Sequence, residues 1–240
     1  MPAPMRASVD EEGSRRGSGV DLLWIPLGAG RHVVRLNGKA FEALTALLER
    51  RPPLDLYHAA LEVAVDGRRY VIELAPVPDG DGQARGVVGV GPVGSKWLGR
   101  LRIFRYEVRR WPGGAIPDRG YAVGGPRRVT ADESQARRVL DLVPAVPKPV
   151  WGRDELDAGE MWNSNSVIAW LLVAAGIDMT DVRPPEGGRA PGWDAGLLVA
   201  RRDGPDRDRP LVAIEDRVVA VRVASRPGPV AVSDSPGERR

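Results

Sequence analysis

The chain of 240 residues has no cysteine, which excludes disulfides, thiolate zinc sites and a cysteine nucleophile. Two histidines are too few for a histidine metal cluster, so neither a metal nor another cofactor is expected. No apolar run reaches the roughly 18 residues of a membrane-spanning helix. Residues 1–19 lack the basic start and apolar stretch of a secretory signal, and the expected location is the cytoplasm. Lysine is nearly missing, with Lys39, Lys96 and Lys148 the whole complement; plentiful Arg, Ala, Gly and Pro point to a GC-rich bacterial gene.

Of the charges that are present, 35 Lys and Arg stand among 32 Asp and Glu, for a formal net charge of +3. That balance describes a mixed, solvated surface better than a basic nucleic-acid footprint, and nucleic acid is the weaker expectation. Residues 1–19 and 226–240 are rich in Gly, Ser, Pro and charge without periodicity and read as disordered tails. A single domain is expected over residues 20–225.

Within it, Asp21 to Leu27 reads as a strand. Asn37 can cap a helix with Phe41, Leu44 and Leu48 on one face, stopped by Pro52. Leu56 to Val77 reads as a hairpin about the favoured Asp66-Gly67 turn. Its register would pair Val65 with Arg68, Val63 with Tyr70, Leu61 with Ile72 and Ala59 with Leu74, making one apolar face. His58, Ala60, Glu62, Ala64, Arg69, Val71, Glu73 and Ala75 fall on the other.

A bulged strand is expected over Arg100 to Arg109, a helix from a Thr130/Glu133 capping box to about Val143, and a last strand over Arg217 to Val223. Gly89, Gly91 and Gly94 match a dinucleotide-binding glycine pattern. Pro92 and Gly99 deny the helix that pattern needs, so a glycine-rich loop between strands is the better reading.

The segment that can carry chemistry is Trp162-Asn163-Ser164-Asn165-Ser166, which opens a helix with Val167, Ile168, Leu171, Leu172 and Ala175 as its buried stripe and Gly176 at its end. A helix start offers amide donors and a positive dipole end to a nucleophile and an oxyanion. Ser164 shares the stripe of Ile168 and Leu171, whereas Ser166 falls on another face. His58 lies on the hairpin face of small residues that would admit the helix, with Glu73 as its diagonal cross-strand neighbour, able to orient the imidazole. Two readings stay open: a Ser/His/carboxylate site, or ordinary Asn and Ser capping beside a structural histidine.

At these residues the chain resembles a family. Tyr57-His58-Ala59-Ala60-Leu61-Glu62-Val63 and Arg69-Tyr70-Val71-Ile72-Glu73 resemble the histidine hairpin of PPPDE-type permuted papain-fold thiol peptidases. Asn163-Ser164-Asn165-Ser166 resembles their N-C-N-H motif, with serine where the family has cysteine. The histidine-first order is also that of permuted relatives of the NlpC/P60 peptidases, which include lipid acyltransferases. The run from Met161 to Leu172, with Pro184-Pro185 and Gly188 to Trp193 beyond, is similar to bacterial proteins bearing an N-S-N-[ST] run.

The resemblance implies an α+β fold of permuted papain-like type, with an antiparallel sheet and the nucleophile-position helix packed against it. It implies a hydrolase or acyltransferase of an amide, ester or thioester, with Ser164 as nucleophile, His58 as base and Glu73 orienting it. Asn163, Asn165, Trp162, Arg189 and Trp193 would bind substrate. The alternatives are a catalytically silent module that binds a peptide, lipid or protein in the same cleft, and arginine-mediated nucleic-acid binding. Serine raises that question because its hydroxyl, unlike a thiol of pKa about 8.5, must lose its proton as it attacks.

Overall fold

The computed structural model describes residues 17–27, 54–76, 86–116 and 118–204, all within one compact unit, Met1–Arg207. The helix expected after Asn37, the strand Arg217–Val223 and nearly all of both expected tails lie outside the described residues.

The architecture is α+β, with a predominantly antiparallel sheet. Its strands are β1 (Gly19–Pro26), β2 (Asp55–Val65), β3 (Arg68–Pro76), β4 (Val87–Pro92), β5 (Arg105–Pro112) and β6 (Arg127–Thr130), in the order β4-β5-β3-β2-β1-β6. A two-residue β7 (Gly188–Arg189) runs parallel to the start of β2. The helices are α1 (Glu133–Leu142), α2 (Ser164–Ala174) and α3 (Trp193–Asp203). None of the described helices is long and apolar enough to cross a membrane.

The β2–β3 hairpin turns at Asp66 (φ 52°) and Gly67 (φ 69°), and two positive φ values match the right-handed twist of the strands they join. Three expected pairs form: Val65 with Arg68, Val63 with Tyr70 and Leu61 with Ile72. There the pairing ends, before Ala59 and Leu74. Beyond it β3 continues along β5, from Tyr70 opposite Pro112 to Pro76 opposite Tyr106, while β2 continues along β1 as far as Tyr57 opposite Pro26. The sheet therefore splits between β2 and β3, and that split makes the site.

One face carries the main core, in which Ala59, Leu61, Val63, Ile72 and Leu74 meet Val167, Ile168, Leu171 and Leu172 of α2. The expectation that α2 covers the His58/Ala60 face is thereby corrected. The continuous apolar face offers far more area to bury, and burial scales with area. Ala60 and Val71 join a smaller cluster with Leu23, Ile25 and Ile116. Charged groups on that side are neutralised in place: Glu62 by Arg69 at 3.3 Å and Arg119 at 2.7 Å, Asp21 by Arg128 at 2.8 Å, and Arg109 by Glu73 at 3.3 Å and Glu107 at 2.9 Å.

Three other expectations shift. Residues 98–104 form two 3-10 turns that leave Leu101 and Ile103 exposed, so the strand starts only at Arg105 and carries no bulge of its own at 101–104. Gly89 and Gly91 lie within β4, not in a loop: a Cβ at Gly91 would sit 2.2 Å from the Tyr106 ring and one at Gly89 2.3 Å from Lys148 Cε. These glycines admit neighbouring side chains. The cap of α1 is Asp132, whose carboxylate accepts from Ser134 N and Gln135 N, since Thr130 is still the last residue of β6. Glu133 sits in the first turn and pairs with Arg137.

Helix α2 is buried on nearly all sides because α3 covers the side that the sheet does not. Gly176 (φ 79°) ends it in a Schellman turn, with Ile177 N donating to Leu172 O at 3.0 Å and Gly176 N to Val173 O at 2.9 Å. The two helices meet at Gly196, where a Cβ would lie 2.2 Å from Ser166 O and 2.8 Å from the Ala169 Cβ. Helix propensity alone favours alanine over glycine by about 1 kcal/mol, but overpacking costs about 1–3 kcal/mol. Gly196→Ala is expected to lower stability, read as a fall in the urea midpoint; a rise would show that the interface can give way.

Candidate active site

The split leaves Tyr57 O and Ala59 N without a partner on β3, and Asn165 takes both. Its Oδ1 accepts from Ala59 N at 2.8 Å, and its Nδ2 donates to Tyr57 O at 3.0 Å and Pro191 O at 2.9 Å. The start of α2 is thus docked into the open edge of β2. His58 lies between the two bonded residues, and its Nδ1 is 2.7 Å from Ser164 Oγ. Strand alternation puts His58 on the face opposite α2, and the edge docking is what lets helix and ring meet.

The helix start is fixed by a capping box of asparagine and serine. Asn163 Oδ1 accepts from Asn165 N at 2.8 Å and Ser166 N at 3.4 Å, while Asn163 N donates to Ser166 Oγ at 3.1 Å. Ser166 Oγ donates in turn to Gly192 O at 2.7 Å, and Asn163 Nδ2 to Pro191 O at 2.8 Å. Glu160 completes the clamp, accepting from Gly192 N at 2.7 Å and Arg189 Nη2 at 3.3 Å. Gly192 (φ 82°) is required twice over, by its left-handed backbone and because a Cβ there would lie 2.7 Å from Asn163 Oδ1, Met161 O and Ser166 Oγ.

Of the residues expected to act, the structure joins His58 and Ser164, both half-buried. It places Glu73 elsewhere, on Arg109, its cross-strand neighbour in β5. The diagonal neighbour relation assumed that β2 and β3 stay paired as far as His58, and they do not. The residues expected to bind substrate each make structural contacts. Asn163 and Asn165 are the buried cap and bridge; Trp162 is 1% exposed in the core; Trp193 packs tilted against Trp24 with ring centroids 4.7 Å apart. Arg189 supports the clamp through Glu160.

Burial, with no carboxylate contributing, pushes the His58 imidazole down to about 4 from an ordinary 6.5. The ring is neutral at pH 7. It can therefore accept the Ser164 hydroxyl proton at Nδ1 when its own proton sits on Nε2. Asn163 claims the Asn165 and Ser166 amides and its carbonyl takes Val167 N, so the first-turn amide left to face an oxyanion is that of Ser164.

Sequence reasoning missed Glu160, Gly192 and the carbonyl of Pro191. The Gly188 to Trp193 turn was itself a legible signal; its role as a clamp depends on chain contacts that spacing does not encode. Comparison with protein-family models, curated proteins and solved structures returns no match.

Two measurements test this geometry. Asn165→Ala strands the buried Tyr57 O and Ala59 N, and one unmet buried partner costs about 1–3 kcal/mol; a loss of at least about 2 kcal/mol in urea unfolding is expected, with Ser164 displaced from His58. The second is pH. Unfolded His58 binds a proton below about 6.5 and folded His58 only below about 4, so the unfolded chain holds the extra proton between them. Stability should therefore fall as pH drops through that window, by at most about 3 kcal/mol from this group. His58→Gln should flatten that part of the profile; an unchanged slope would contradict a neutral, partly desolvated ring.

Proposed function

We propose that this chain is a Ser/His hydrolase or acyltransferase of permuted papain-like type, acting on an amide, ester or thioester. The observation that carries the reading is the 2.7 Å contact between His58 Nδ1 and Ser164 Oγ at a helix start. Support for the fold type comes from the order of the parts: a histidine in an early hairpin strand, then the serine-bearing helix lying on an antiparallel sheet.

In the reaction, Ser164 Oγ bonds to the acyl carbon while its proton passes to His58 Nδ1, and the Ser164 amide donates to the developing oxyanion. Collapse breaks the bond to the leaving group, which receives the proton from His58. Water, or an acceptor alcohol or amine, then attacks the acyl-serine with its proton passing to the same nitrogen, and the serine is restored. A base with pKa about 4 is a weak acceptor at neutral pH. Its contribution is expected at the low end of the roughly 10²–10⁴-fold range of general bases.

One observation favours a second reading, a catalytically silent module binding a peptide, lipid or protein partner: Glu73 serves Arg109, and no carboxylate contributes to the His58 shift. A fluorophosphonate probe separates the two. Labelling at Ser164 is expected, abolished in Ser164→Ala and slowed about 10²-fold in His58→Ala, with an acid limb near pH 4. Equal labelling of folded wild-type and Ser164→Ala protein decides for the silent module.

A further inference from the structure

We propose that the turn between β4 and β5 docks the protein onto the anionic surface of a lipid bilayer. Residues 93–106 contain Lys96, Arg100, Arg102 and Arg105 and no acidic residue. Trp97, Leu101 and Ile103 project from the same turn at 69, 52 and 68% exposure. Leaving three large apolar side chains in water on one short segment is unfavourable, and interleaving them with cations matches a bilayer interface, where apolar groups enter and cations reach the phosphates. Tryptophan is the side chain best suited to that depth.

The backbone of the turn is prepared for a poorly hydrated setting. Arg100 N, Leu101 N and Phe104 N donate to Trp97 O, Leu98 O and Leu101 O at 3.2, 2.9 and 3.0 Å. Arg105 folds back on the carbonyls of Gly99 at 2.6 Å and Arg100 at 3.1 Å. Internal satisfaction of this kind lowers the cost of approaching lipid. Arg100 and Arg102 are exposed. Lys96 meets Glu155 at 3.4 Å with its own side chain 79% exposed, a screened contact that a phosphate can replace.

Two other occupants fit less well. Strand addition by a partner chain is opposed at this end of β4 because Trp151 N already donates to Pro92 O at 2.9 Å and Gly94 N to Trp151 O at 3.2 Å. Single-stranded nucleic acid stacks on aromatic rings, and two of the three projecting groups are aliphatic.

The test is sedimentation of the full chain with vesicles of phosphatidylcholine, alone or mixed with phosphatidylserine. Binding to the mixed vesicles is expected to be at least about 10-fold tighter and to weaken with salt. Trp97→Ser with Ile103→Ser should reduce it about 10-fold or more with every charge intact. Arg100→Glu with Arg102→Glu should abolish the preference for anionic lipid. All four positions are exposed, and an unchanged thermal midpoint verifies folding. The proposal is overturned by no binding to mixed vesicles at low salt, or by undiminished binding of the serine variant. A wild-type dimer that the serine substitutions split, or retention on RNA without vesicle binding, would equally assign the patch to another partner.

Discussion

The amide of Asn165 on the open edge of β2 is the interaction on which the site depends. Buried backbone donors and acceptors need partners, and where β3 leaves β2 the Tyr57 carbonyl and the Ala59 amide would have none on that strand. One side chain on α2 supplies both bonds, so satisfying the strand and positioning the helix are a single event. Ser164 precedes Asn165 and His58 lies between Tyr57 and Ala59, so the 2.7 Å approach of Nδ1 to Oγ follows from a bond made for structural reasons. Helix packing alone would fix α2 over the face of the sheet without fixing its position along the strand.

The same burial that makes this bond firm sets the electrostatics. A ring driven down to about 4 is uncharged at neutral pH and ready to accept a proton, yet binds it weakly once transferred. A carboxylate on the imidazole would offset that weakness, but Glu73 belongs to the Arg109 cluster on the far side of the split. Any oxyanion leans on the Ser164 amide, because Asn163 consumes its neighbours. On the proposed function, the arrangement would suit an activated acyl group, ester or thioester, better than an unactivated amide. The leaving group of an ester or thioester departs with less help from an acid.

The hairpin register and the helix from Ser164 to Gly176 were legible because each rests on local signals: an Asp-Gly turn, period-two alternation, an Asn cap and a left-handed glycine. The pairing of His58 with Ser164 was legible too, though for the wrong face. What could not be read was where β2 and β3 part, since that depends on β3 following β5 instead of β2. Losing that point misplaced Glu73. The exposed turn at 98–104 read as a strand because alternation of apolar and basic residues is ambiguous between a half-buried strand and an amphipathic turn.

Sheet register relates that turn to the dyad. Strand β3 ends and β5 begins at the same end of the sheet at which β2 begins, since Pro76 lies opposite Tyr106 and Arg105 opposite Pro92. His58 is the fourth residue of β2, near its start at that end. A backbone path joins the two places: Trp151 N donates to Pro92 O, Gly152 N to Trp162 O, and Trp162 precedes the capping Asn163. A bilayer seated on Trp97, Leu101 and Ile103 would therefore lie at the end of the sheet near which His58 meets Ser164. With the proposed activity and the proposed docking taken together, an acyl ester embedded in that bilayer would be presented to the serine without leaving the interface, and a weak base with a single oxyanion donor would gain from the high local substrate concentration.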